Sequence, residues 1–68
     1  MTMNWEDLRY FQATAESGNY TSAANRLGVN RTTVSRRVEA LEQRLGTALL
    51  LWQSGQMQLS DAGERVLR

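Results

Sequence analysis

Apolar residues recur with helical spacing through most of this chain and shift to a shorter, strand-like rhythm near its end. Asn4 to Ser17 reads as a first helix, with Leu8, Phe11 and Ala15 at i, i+3 and i+7 forming one apolar stripe. Asn4 suits an N-cap, Glu6 and Asp7 occupy the first turn where the helix dipole favours acids, and Gly18 follows as a stop. Trp5 lies slightly off the stripe and is expected to cover the helix end. A short second helix is predicted over Ser22–Leu27, capped by Thr21 and closed by Gly28; Ala23, Ala24 and Leu27 let another helix approach closely. Val29 sits in the turn, Asn30 caps a third helix from Arg31 to about Leu45, and Gly46 ends it.

The third helix has the clearest geometry. At about 100° per residue, Val34, Val38, Leu41 and Leu45 share one narrow stripe. Thr32, Arg36, Glu39 and Gln43 collect opposite, with Arg31 and Ser35 on the flanks near the N-terminus. Beyond it, Leu49–Gln53 and Gln56–Leu59 read as short strands. Leu49-Leu50-Leu51-Trp52 alone is equally compatible with helix, but the Ser54–Gly55 pair favours a hairpin. Ser60 caps a last helix from Asp61 that still runs where the sequence stops at Arg68, the pattern expected of the front end of a longer protein.

Composition narrows the function. The 68 residues make one small domain, which buries only about 60% of the surface its unfolded chain exposes. Cysteine and histidine are both absent, which removes disulfides, thiolate or imidazole metal sites and the usual general base. With only hydroxyl nucleophiles and dispersed carboxylates left, an enzyme is not expected, and no cofactor or metal is implied. No apolar run approaches the roughly 20 residues that span a bilayer, and the N-terminus lacks a signal-peptide layout. No membrane association and a cytoplasmic location are the expectations. The net charge is only +1, yet from Ser17 through Val38 the sole charges are Arg26, Arg31, Arg36 and Arg37. Every basic residue is arginine, which suits bidentate contacts to phosphate and guanine.

Ala24, Gly28 and Val34 meet three separate demands of a helix-turn-helix: close helix contact, a positive-φ turn and an anchored second helix. The second helix of such a pair enters the major groove with its N-terminal residues facing the bases. Here those are Arg31, Thr32, Ser35 and Arg36, able to pair with a guanine edge, to donate or accept, or to touch a thymine methyl. The backbone amides of 21–23 and 31–33 lie at helix N-termini that favour phosphate, which places Thr21, Ser22 and Thr33 at the DNA backbone. Each assignment has a plainer competitor. The competing readings pair Arg36 only with Glu39 one turn on, leave Arg31 as solvated surface, and make Thr32, Thr33 and Ser35 ordinary helix-start residues. Arg26 divides between phosphate contact and solvated face. Arg37 lies nearer the core stripe, where packing or a backbone contact competes with base reading. Trp5 and Trp52 are core or patch residues before they are ligand platforms.

Taken together, these motifs resemble the N-terminal winged helix-turn-helix domain of LysR-type transcriptional regulators. The resemblance rests on Leu8-Arg9-Tyr10-Phe11, Gly18-Asn19-Tyr20-Thr21 with Ala23-Ala24, Leu27-Gly28-Val29, Val34-Ser35-Arg36, Leu41-Glu42, Leu45-Gly46, Leu49 and Leu59-Ser60-Asp61-Ala62-Gly63. It implies a mainly α fold: a three-helix core and a short two-stranded wing over 1–60, then the start of a truncated linker helix over 61–68. It further implies a bacterial, sequence-specific regulator of double-stranded DNA, a homodimer or tetramer through that linker helix, with a small-molecule effector bound by a domain not present here. Base reading would fall to Arg31, Thr32, Ser35 and Arg36. Arg31 and Thr32 stand where the family usually has glutamine then proline, so a different sequence preference is expected. Trp52 stands where the family has an arginine, and the wing from Gln53 to Gln58 is uncharged. Gln53, Ser54 and Gln56 remain as hydrogen-bond donors to phosphate. The competing function is a winged-helix module docking an acidic protein without any DNA role.

Overall fold

The computed structural model describes residues 4–68; the first three residues of the domain expected over 1–60 lie outside them. The elements run α1 (Trp5–Ser17), α2 (Tyr20–Leu27), α3 (Arg31–Leu45), β1 (Leu50–Gln53), β2 (Gln56–Leu59) and α4 (Asp61–Val66). This is the mainly α winged helix-turn-helix that the sequence pattern predicts.

Most boundaries follow from single residues. Asn4 caps α1 by accepting from the Glu6 N–H at 2.9 Å. Gly18 (φ 84°), Gly28 (φ 70°) and Gly46 (φ 70°) close the three helices in the left-handed region, which a side chain would resist. One start differs from expectation. Asn19, not Thr21, caps α2, its Oδ1 accepting from the Ser22 N–H at 2.7 Å, so the helix begins at Tyr20. Gly18 turns the chain so sharply that the extended Asn19 already faces the next helix, and no spacer is needed. Strand β1 starts at Leu50, one residue later than expected. Helix α4 ends at Val66, short of Arg68, with Leu67 as its C-cap.

Each of α1, α2 and α3 packs on the other two, and their shared interior holds Phe11, Ala23, Ala24, Val34, Val38 and Leu41, closed at one end by Leu49 and Leu50. Ala24, Gly28 and Val34 fill the places their spacing assigns, and the Val29 N–H reaches the Ala24 carbonyl across the turn at 3.0 Å. The α3 stripe is confirmed for Val34, Val38 and Leu41, while Leu45 is only partly buried. Helix α1 departs further from the expected stripe. Its buried residues are Asp7, Tyr10, Phe11, Ala13 and Thr14, and Ala15 is half-exposed. A helix touching two others hides a wider arc than one stripe, and here the arc is turned toward Asp7. Trp5 is 79% exposed and covers nothing, since it projects about 120° around the helix from Phe11.

Asp7 is the polar surprise of the core. It is 2% exposed, yet its two oxygens accept from Arg44 Nη1 at 2.8 Å and Arg37 Nη1 at 3.3 Å, both on α3. Arg37 also meets Glu6 at 3.3 Å and lies 5.5 Å from the Tyr10 ring centre. Thr14, equally buried, donates to the Tyr10 carbonyl at 2.8 Å. No buried polar side-chain atom among the described residues lacks a partner.

The wing is an antiparallel pair in the register Leu50↔Leu59, Leu51↔Gln58, Trp52↔Met57 and Gln53↔Gln56. Its two-residue turn puts Ser54 (φ 52°) and Gly55 (φ 75°) both at positive φ, the twist that suits a hairpin. Its root is pinned from both sides. The Glu42 carboxylate accepts from the Leu49 and Leu50 amides at 2.8 and 3.3 Å. Ser60 donates its hydroxyl to the Ala48 carbonyl at 2.6 Å and its amide to the Leu49 carbonyl at 2.9 Å, while its Oγ accepts from Gly63 to cap α4. Gly63 lies so close to the Leu49 carbonyl that a Cβ would collide with it.

Two stability measurements follow. Removing both cations with Arg37→Ala/Arg44→Ala strands a buried carboxylate and should cost about 3–5 kcal/mol in urea unfolding. Asp7→Ala should cost less, because it merely returns two half-exposed guanidinium groups to water. Gly63→Ala would gain about 1 kcal/mol in an unobstructed helix; here the unfolding midpoint should fall, because backbone cannot swing aside.

Candidate nucleic-acid interface

Helix α3 carries Arg31, Arg36, Arg37 and Arg44, and the fold divides them. Arg37 and Arg44 are drawn to Asp7. Arg31 and Arg36 are exposed, and neither forms an ion pair among the described residues. In particular, Arg36 has no ion pair with Glu39. Arg37, expected at the DNA backbone or in packing, has its guanidinium engaged by Asp7 and Glu6. The pairing escaped the sequence reading because Asp7 lies 30 residues away, although Asp7, Phe11 and Thr14 do share the spacing of one helix face. Arg26, the other cation expected on phosphate, pairs with Glu16 at 2.7 Å; both side chains are about half exposed, so water screens the contact.

Thr32 is exposed beside Arg31 and Arg36, and Thr33 is half-buried one position on. Ser35 is also half-buried and donates its hydroxyl to the Thr32 carbonyl at 3.0 Å. That bond consumes its proton and leaves its oxygen as an acceptor. Any further hydrogen bond to Ser35 is thereby narrowed toward partners that donate.

The helix starts differ in a way that bears on phosphate. Side chains cap α1, α2 and α4, but Asn30 makes no side-chain cap bond to α3. The first-turn amides of 31–33 are left without that partner, at the positive end of a 15-residue helix. At α2 the outcome is a correction. The Ser22 amide is taken by Asn19 Oδ1 and the Ala23 amide by the Asn19 carbonyl at 3.2 Å, so neither is open to a phosphate. Thr21 and Ser22 themselves remain exposed, with hydroxyls available. At the wing tip Gln53, Ser54 and Gln56 are all exposed.

One cluster joins these parts. The Arg31 guanidinium lies 6.0 Å from the Tyr20 ring centre, and the Trp52 ring lies 6.0 Å from the Tyr20 ring, tilted by 53°. Burial raises the Tyr20 phenol above its ordinary value of 10.0, with Glu42 and then Glu39 adding to the rise and Arg31 opposing it. The ring is therefore neutral at physiological pH.

A model of bacterial regulatory helix-turn-helix proteins of the lysR family matches residues 5–64. The chain belongs to the LysR family. A probable nitrogen assimilation transcriptional activator of Synechococcus elongatus is 45% identical over 65 residues, 96% of this chain and 21% of that relative. The CbnR DNA-binding domain, solved as a complex with DNA, is 40% identical with a TM-score of 0.88, covering 96% of this chain and 75% of that one. The BenM domain solved with catB site 1 DNA is 33% identical with a TM-score of 0.88, covering 94% and 71%. The chain spans about a fifth of the length of the curated relatives it matches.

The Tyr20 shift gives a titration test of the cluster. A folded pKa above the unfolded one means the contribution to stability is complete below about pH 10 and lost as pH climbs through the higher folded value. The part of the tyrosinate absorbance lost in Tyr20→Phe should appear at higher pH than in free tyrosine. Arg31→Ala should move it higher still, because the opposing cation is gone.

Proposed function

We propose that this chain binds double-stranded DNA sequence-specifically, as the DNA-binding domain of a bacterial LysR-type transcription regulator. The observation that carries it is the division of α3: Val34, Val38 and Leu41 are buried, two arginines are held by Asp7, and Arg31 and Arg36, with Thr32 beside them, are exposed at its N-terminal end, neither arginine in an ion pair among the described residues. A helix that hides one face and leads with unpaired guanidinium groups fits a major groove. The likeness to the CbnR and BenM domains solved with DNA supports the same reading.

Roles follow from placement. Arg31 and Arg36 reach guanine edges or phosphate, Thr32 touches a base edge, and Ser35 accepts from an amino group. Thr33 and the first-turn amides of α3 take a phosphate, joined by the hydroxyls of Thr21 and Ser22. The uncharged wing tip contributes Gln53, Ser54 and Gln56 as neutral donors, so affinity comes mainly from the helix-turn-helix. Arg26 reaches phosphate only by exchanging its screened contact with Glu16.

Residues 61–68 are read as the start of the linker helix. In the whole regulator that helix would join two copies, as a homodimer or tetramer, and a separate domain would sense a small-molecule effector. A cytoplasmic location accords with this role. No described helix is long and apolar enough to cross a membrane.

The test is binding across a panel of duplexes. Affinity should fall with salt by nearly one power of concentration per phosphate neutralised. Arg36→Ala should cost about 1–3 kcal/mol at one base pair and relax discrimination there. Uniform loss on every sequence would make Arg36 a phosphate contact. In the dimer, footprints should show two half-sites about 34–36 Å apart; protection of one unpaired half-site would refute the arrangement.

A further inference from the structure

The Arg31–Tyr20–Trp52 cluster draws one residue from each of three elements: the first of α3, the first of α2, and the third of β1. Strand alternation puts Trp52 on the same face of the wing as Leu50, which is buried, and opposite Met57, which packs against the core. Trp52 therefore lies on the inner face of the hairpin, one step past the edge of the helical body. Trp52 is 54% exposed because the core has ended, and its ring rests on Tyr20 at the start of α2. The strand that carries it cannot drift, since Glu42 holds the Leu49 and Leu50 amides and Ser60 holds the Leu49 carbonyl.

Tyr20 also meets Arg31, whose guanidinium lies 6.0 Å from its ring centre. A free arginine at a helix start samples many rotamers, and each must be given up when it grips a base. A guanidinium drawn to the face of a fixed aromatic ring samples fewer. Tyr20 is itself half-buried and braced by Trp52, so its ring is a stable support. The uncharged wing thus has a role that needs no charge.

Building on the DNA-binding reading, we propose that Trp52, acting through Tyr20, is a positioning residue that holds the Arg31 guanidinium toward the groove and sharpens its discrimination at one base pair. Trp52 makes no base contact in this scheme, and its influence is confined to the base that Arg31 reads. The wing contributes to sequence choice through the orientation of a side chain on another element.

The experiment selects bound sites from a random duplex pool with the 68-residue chain and with Arg31→Ala, Trp52→Ala, Trp52→Leu and Trp52→Phe. Arg31→Ala should lose roughly 5- to 150-fold in preference at one base pair. Trp52→Ala and Trp52→Leu should lose about 2- to 5-fold at that same pair and leave other positions unchanged. Trp52→Phe should retain most of the preference, because the ring face survives, whereas Trp52→Leu keeps apolar bulk without a ring. Adding Trp52→Ala to Arg31→Ala should cost nothing further at that pair. Urea unfolding of each variant separates loss of fold from loss of positioning, and Trp52→Leu carries the test if Trp52→Ala unfolds. Equal weakening on every sequence would overturn the proposal by making Trp52 a backbone contact. Unchanged discrimination in both Trp52→Ala and Trp52→Leu would overturn it too. If the unmodified chain retards no duplex even at low salt, the DNA-binding reading itself falls, and the proposal goes with it.

Discussion

A single buried carboxylate organises this domain. Asp7 sits where α1 meets α3, almost without solvent, and is acceptable there only because Arg37 and Arg44 reach it from the facing helix. A lone ion in that position would be far too costly, while the matched group fixes the rotation and register of α1 against α3. The same bonds decide which cations of α3 remain free. Arg37 and Arg44 are seven residues apart on one side of the helix and are held inward. Arg31 and Arg36 escape that attraction, and the binding face is what remains after the core has taken its share of charge.

The wing depends on a second polar device of the same kind. Glu42 sits on α3, and its carboxylate takes two amides where the chain turns into β1. Ser60 completes the join from the other strand. An element with only four residues per strand has little apolar surface of its own, and an isolated hairpin of that size is marginal in water. Anchoring its root to α3 substitutes for a larger sheet. It also sets the wing at a fixed height beside the start of α3, where Trp52 finds Tyr20.

The helices, the turn glycines and the α3 stripe were legible because each is written locally, in spacing and in cap residues. Val34, Val38 and Leu41 fall where 3.6-residue periodicity puts them, and the Ser54–Gly55 pair marks the hairpin. The placement of Thr32 and Arg36 opposite that stripe was readable for the same reason, whereas the absence of an Arg36–Glu39 pair was not. What escaped was written at long range. Asp7 looks like a helix-start acid favoured by the dipole, and nothing adjacent reveals that Arg37 and Arg44 will close on it. Thr21 and Asn19 are both competent caps, and only the sharp exit at Gly18 decides for Asn19. Trp52 is one bulky residue in an ambiguous apolar run. Its contact with Tyr20 exists only once the hairpin is folded against α2.

Gly63 carries a mechanical consequence. With no gap between its backbone and the Leu49 carbonyl, the first turn of α4 has nowhere to slide. Leu49 in turn hangs from Glu42 on α3. Helix α4 is thereby keyed to the residues that open β1 and, through Glu42, to α3, with Ala62 and Val66 packed against the core beside that contact, so the setting of α4 is tied to the hairpin root and to α3 together.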